Sequence, residues 1–86
     1  LKTGTTSVGR DEEAEITVDD RGLSRVHFEV AFDGEIAAIR DLGSTNGTFV
    51  DGMRITELVL RSGSRISAGR TDFEFEMLAL AGETRE

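Results

Sequence analysis

The stretch Val26-His27-Phe28-Glu29-Val30-Ala31-Phe32, closed by Asp33-Gly34, decides how the rest of the chain is read. Val26, Phe28, Val30 and Phe32 alternate with His27, Glu29 and Ala31. That period of two turns one face of a β-strand toward a core and the other away from it. Asp33-Gly34 then ends the run with a dipeptide whose easy access to positive φ suits a tight hairpin turn. Working outward, Asn46-Gly47 and Asp51-Gly52 repeat the signal, so three such turns fall within twenty residues and predict antiparallel sheet. Phe73, Phe75 and Met77 alternate with Asp72, Glu74 and Glu76 in the same way. Further runs at Thr6 to Val8, Glu15 to Val18, Glu35 to Asp41, Leu58 to Leu60 and Ile66 to Ala68 complete a spacing of roughly 8–12 residues, the pattern of a sandwich or barrel. A helical turn is expected only near Met77 to Ala81. The chain reads as all-β.

Its 86 residues suffice for one core, and a second would have too little to bury. Residues 1–86 are therefore read as a single domain with short tails at Leu1 to Thr5 and Gly82 to Glu86. The longest apolar run, Met77 to Ala81, is five residues, and Ile36 to Ile39 makes four, both far short of the about 20 that a transmembrane helix needs. Leu1 to Arg10 lacks the charged-then-apolar-then-small order of a secretory signal, so a cytoplasmic location is expected. The absence of cysteine excludes disulfides, thiol nucleophiles and thiolate zinc sites, and the single histidine, His27, supplies too few nitrogens for an ordinary zinc site. An oxygen-ligand site stays formally open, but neither a metal nor a cofactor is expected. Ten Lys and Arg against seventeen Asp and Glu give a net charge of −7. That charge argues against nucleic-acid backbones and anionic membranes. Five phenylalanines that read as core, with no tyrosine or tryptophan, leave no platform for stacking bases.

The chemistry concentrates in three turns: Gly9-Arg10, Ser24-Arg25-Val26-His27, and Asp41-Leu42-Gly43-Ser44-Thr45-Asn46-Gly47-Thr48. Taken singly each has an ordinary explanation as a solvated turn, a turn former or a hairpin. Together they supply Arg10, Ser24, Arg25, Thr45 and Asn46, a set rich in donors and free of acids. In a chain this acidic, such a set suits an anion with several acceptor oxygens, as a phosphate monoester is. A catalytic reading fares worse. Gly22-Leu23-Ser24-Arg25-Val26 begins like a nucleophile elbow, but Val26 stands where that motif needs glycine and no helix follows. Ser24 and His27, three apart in a strand, would point to opposite faces. Asp19-Asp20 reads as a pair of solvated turn residues, and Asn46-Gly47-Thr48 spells a glycosylation acceptor that means nothing without a signal sequence.

In this order and at these separations the three turns resemble the forkhead-associated (FHA) domain, a module that binds phosphothreonine peptides; the match runs from about residue 7 to about residue 76. The resemblance implies an antiparallel β-sandwich with its ligand loops at one end. It also implies a phosphothreonine-bearing protein as partner in Ser/Thr-kinase signalling, no catalysis, and a host protein larger than this chain. Carried over position by position, Arg10 contacts the phosphate or the adjoining backbone, and Ser24 and Thr45 donate hydroxyls to phosphate oxygens. Arg25 adds a charge-assisted bond. Asn46 reads the peptide main chain with an amide that both donates and accepts. Gly9, His27 and Gly47 shape the loops: Gly47 follows Asn46 because the turn needs positive φ, and His27, on the outer face by parity, holds the Ser24 loop through its ring. The family places two further strands ahead of the Gly-Arg turn, where eight residues stand here, so a sheet edge is expected to be short of strands and open to dimerisation. The alternative is a domain of the same fold that binds its partners without phosphate.

Overall fold

A computed structural model describes residues 3–76. Nine strands follow one another in the described chain: β1 (Gly4–Gly9), β2 (Ile16–Thr17), β3 (Phe28–Phe32), β4 (Ala37–Asp41), β5 (Thr48–Val50), β6 (Met53–Ile55), β7 (Glu57–Val59), β8 (Arg65–Ala68) and β9 (Thr71–Glu74). They form a five-stranded sheet in the order β2-β1-β3-β4-β7 and a four-stranded sheet in the order β6-β5-β8-β9. Pairing is antiparallel throughout except between β1 and β2, which run parallel with Val8 opposite Ile16. The two sheets make a β-sandwich, and among the described residues no helix is long and apolar enough to cross a membrane.

The alternation in β3 does what period two requires. Phe28 and Val30 are buried and Ala31 is exposed. Ile39 lies opposite Val30 on β4, and these residues meet Val50, Ile66 and Ala68 of the second sheet in one apolar cluster. The Phe28 ring meets Phe73 edge to face at 5.6 Å, tying β3 to β9 across the sandwich.

Two of the three turn dipeptides close hairpins. At Asp33-Gly34, between β3 and β4, the Asp33 carboxylate accepts from the N–H groups of Glu35 (2.8 Å) and Ile36 (2.7 Å). Led by the Ile36 N–H, these bonds hold the Asp33 carboxyl below its ordinary value. Between β5 and β6, Asp51 and Gly52 both take positive φ, 49° and 87°, the conformation that matches a two-residue turn to strand twist. The third dipeptide, Asn46-Gly47, closes no hairpin. β4 pairs with β3 and β7 in one sheet and β5 with β6 and β8 in the other, so residues 42–47 carry the chain across the sandwich.

Smaller departures fall at strand ends and at the sheet edges formed by β2 and β7. Ile36 falls outside β4 and is 51% exposed, and β2 is only two residues. Gly4 and Thr5, expected in a tail, belong to β1, the strand described ahead of Arg10. β7 is exposed along its length, with the core contact made by Leu60 just beyond it. Met77 and the expected turn near Met77 to Ala81 lie outside the described residues, as do Leu1, Lys2 and the tail from Gly82.

Candidate functional site

The three turns meet at one end of the sandwich, and the first contact between them depends on a missing side chain. Gly9 ends β1 directly against the backbone of Arg25 and Val26; a Cβ there would overlap the Arg25 carbonyl and come within 2.8 Å of the Val26 Cα. Because nothing intervenes, Arg10 N–H donates to the Ser24 carbonyl (3.1 Å) and Asp11 N–H to the Arg25 carbonyl (3.1 Å). The β1–β3 partnership thus continues past both strand ends and sets Arg10 beside Ser24. Arg10 Nε donates to the Leu23 carbonyl (3.0 Å). That bond fixes the guanidinium plane while leaving its two outer nitrogens without a protein partner among the described residues.

His27 is not on an outer face. It is fully buried, because residues 24–27 are loop and regular strand begins only at Phe28, so strand parity does not apply to it. Its Nδ1 accepts from the Ser24 N–H (2.9 Å) and its Nε2 lies 2.8 Å from the Gly47 carbonyl. An acceptor at Nδ1 and a carbonyl at Nε2 require the neutral tautomer with its proton on Nε2. One imidazole therefore joins the second turn to the third. Ser24 Oγ repeats the link by accepting from the Thr45 N–H (3.1 Å), which leaves its own proton to donate outward. Gly47 has φ +92°, as its place after Asn46 requires, and carries the Arg54 guanidinium against it, 2.9 Å from where a Cβ would stand.

Asp41 builds the third turn. Its carboxylate accepts from the hydroxyls of Ser44 (2.5 Å) and Thr48 (2.7 Å) and from the N–H groups of Gly43 and Ser44 (both 3.1 Å). Burial works to raise this carboxyl, but the four hydrogen bonds together outweigh it and hold the group below its ordinary value. Ser44 Oγ in turn accepts from the Gly47 N–H (2.9 Å), so Thr45 and Asn46 stand at the crest of a fully bonded loop. Thr45 and Asn46 are exposed there. Asn46 Nδ2 donates to the Gly22 carbonyl (2.9 Å), leaving its carbonyl oxygen and second N–H for a ligand.

All five candidate residues, Arg10, Ser24, Arg25, Thr45 and Asn46, line one open cavity of about 330 Å³, and Arg21 joins them. Arg25 carries company that the sequence does not announce. Its guanidinium lies 3.6 Å from Asp11 and 3.8 Å from Glu13, so the donor set has acids at one margin. A second, larger cavity of about 700 Å³ adjoins at Arg21, Gly22 and Asn46 and runs on to Gly69, Arg70 and Thr71. Asp20, at its edge, is a buried residue that accepts four hydrogen bonds, not a solvated turn residue. Sequence reasoning names neither Asp20 nor Asp41 as a builder of the site, although Asx residues two or three positions ahead of Gly and Ser are a turn signal. Among the described residues no group of three or more His, Asp or Glu side chains could hold a metal ion.

Comparison with known proteins agrees with this geometry. The family model of the FHA domain matches residues 6–69. FhaA of Mycobacterium tuberculosis, an FHA domain-containing protein, is 36% identical over 77 residues, which are 90% of this chain and 15% of FhaA. The glycogen accumulation regulator GarA of Mycolicibacterium smegmatis is 35% identical over 82 residues, 95% of this chain and 49% of GarA. The chain thus spans between about a seventh and about half the length of these relatives. A structure solved in a structural and functional study of phosphothreonine-dependent FHA domain interactions superposes with a TM-score of 0.89 at 36% identity, covering 93% of this chain and 83% of that one. A match over most of the length in sequence and in fold, across a span that includes all three turns, places this chain in the FHA domain family.

Proposed function

We propose that residues 1–86 form one phosphothreonine-binding module of a larger protein and recognise a phosphorylated partner in Ser/Thr-kinase signalling. The observation that carries the reading is the convergence, in a chain of net charge −7, of Arg10, Ser24, Thr45 and Asn46 on one cavity with donors to spare. Arg10 and Arg25 supply charge, Ser24 and Thr45 supply neutral hydroxyl donors, and Asn46 is set to grip the peptide main chain beside the phosphate. The FHA structure named for phosphothreonine-dependent interactions supports the same ligand. The module acts by binding. The His27 imidazole meets the Ser24 N–H and not its hydroxyl, and with both nitrogens committed it has no lone pair to offer as a base.

Three peptides drawn from an oriented phosphothreonine library, identical except for phosphothreonine, phosphoserine or glutamate at the centre, test this by fluorescence anisotropy. A phosphate monoester offers three acceptor oxygens at nearly two charges, whereas a carboxylate offers two at one, so glutamate should fail. Burial of the threonine methyl alone favours phosphothreonine over phosphoserine by about 0.8 kcal/mol, roughly fourfold. Equal binding of all three would show that charge alone is read. Binding of an unphosphorylated peptide with equal affinity would point instead to a phosphate-independent interaction domain of the same fold.

A further inference from the structure

Asp20 is only 8% exposed, yet it belongs to neither a strand nor the apolar cluster. Its Oδ1 accepts from the Gly22 N–H (2.8 Å), and its Oδ2 accepts from the Arg70 N–H (2.7 Å) and the Thr71 hydroxyl (2.5 Å). One carboxylate thus bolts the loop ahead of β3 to the turn between β8 and β9, some fifty residues later in the chain. The two backbones touch beneath it. A Cβ on Gly22 would lie 2.8 Å from the Gly69 Cα, and a Cβ on Gly69 would lie 2.8 Å from the Gly22 carbonyl carbon. Three donors converging on two oxygens call for a group that only accepts, which an ionised carboxylate is and an amide is not. The same bonds, the Thr71 hydroxyl first and the Gly22 and Arg70 N–H groups after it, hold the Asp20 carboxyl below its ordinary value and so keep it in that form.

What Asp20 holds is the residue that holds Asn46. Gly22 gives its N–H to Asp20 and its carbonyl to Asn46 Nδ2 (2.9 Å), so the same short stretch is gripped from both sides. The β8–β9 turn, Asp20, Gly22 and Asn46 form one chain of contacts leading from a distant turn to the exposed amide at the mouth of the cavity. We propose that Asp20 is a positioning residue for Asn46: by fixing Gly22 against the β8–β9 turn it sets the orientation of the amide that takes the ligand main chain. This rests on the reading of Asn46 given above, but the placement of the amide in the free protein does not.

The test is a pair of variants in three backgrounds, read with the library-selected phosphothreonine peptide. Asp20→Asn presents an NH₂ to donors on one side, and Thr71→Val removes one donor without touching the loop. In the native background Asp20→Asn should weaken binding about tenfold, the size of coupling expected within one hydrogen-bond network. The loss should persist in Ser24→Ala and fall below about twofold in Asn46→Ala, where there is no amide left to misplace. Thr71→Val should show the same pattern more weakly, and it decides the matter if Asp20→Asn does not fold. A loss of equal size in all three backgrounds, or none in any, overturns the proposal. A ligand-free readout separates it from the phosphothreonine reading: the Asn46 side-chain amide resonances should move in both variants, and unmoved resonances overturn the positioning role whatever the peptide does.

Discussion

Ser24 and Arg25 are adjacent in the chain and line the same cavity, but they are held in opposite ways. Ser24 is gripped at its N–H by a fully buried imidazole and at its hydroxyl by the Thr45 N–H, contacts that lie at 2.9 and 3.1 Å and leave one proton pointing outward. Arg25 is held by two carboxylates at 3.6 and 3.8 Å, with 64% of its side chain exposed. Water competes for every contact Arg25 makes, and exposed pairs of this kind are worth about 0.2–1 kcal/mol. Leaving a buried N–H unpaired costs about 1–3 kcal/mol. The difference teaches how such a site divides its labour. Between these two neighbours, hydrogen bonds to the fold set the geometry of Ser24, and Arg25 supplies charge from a flexible side chain at the rim.

Removing the buried grip should therefore produce the largest effect. His27→Ala leaves the Ser24 N–H and the Gly47 carbonyl unpaired and opens a hole behind them, for a loss of about 4 kcal/mol of stability. In a domain of this size that should lower the melting temperature by well over 10 °C. Binding should decline as the two turns separate. A His27→Ala protein that melts with the native one would mean that the imidazole is not what joins the turns.

Next comes Arg10, the cation that the fold does orient. Its Nε bond to the Leu23 carbonyl aims the outer guanidinium without burying it, so Arg10→Ala should leave the melting curve in place and cost about 3 kcal/mol of phosphopeptide affinity. Ser24→Ala should cost less, about 2 kcal/mol, because it removes one neutral donor to the phosphate along with the acceptor for the Thr45 N–H. Calorimetry on both variants sharpens the contrast. If Ser24→Ala proves the costlier, orientation outweighs charge in this site.

How much of this is legible in the sequence follows from the same division. Period two in residues 28–32 and the Asp-Gly dipeptides at 33–34 and 51–52 are local signals, and they hold wherever regular strand surrounds them. The donor cluster is legible as three motifs because each sits on one short turn. What fails is inference that carries a local rule past the end of a strand. His27 has the parity of an outer residue only if residues 24–27 are strand, and Asn46-Gly47 marks a hairpin only if its flanks pair with each other. The third layer is long-range and leaves no periodic trace. Asp11 and Glu13 stand more than ten positions before Arg25 in the chain, and Asp20 some fifty before Arg70 and Thr71; the β1–β3 pairing brings the first group together, and the stacking of the two sheets the second.

The smallest expected effect probes the rim itself. Asp11 uses Oδ1 to accept from the Glu13 N–H (3.0 Å) and Oδ2 to face Arg25, so Asp11→Asn keeps the turn and removes only the charge. Combined with Glu13→Gln it should release Arg25 and remove two negative charges from the approach of a dianionic phosphate. Both terms favour binding, and both are weak because Arg25 and Glu13 are largely exposed and Asp11 is only partly buried. At low salt the double variant should bind a phosphothreonine peptide about two- to fivefold more tightly than the native chain. At about 0.5 M salt the gain should fade, since screening then acts within a few ångströms. The same substitutions in an Arg25→Ala background should retain only the part due to direct repulsion. A loss of affinity in the double variant would reverse the picture: the two carboxylates would then be aiming Arg25 at the ligand, and the rim would be as organised as the buried wall behind it.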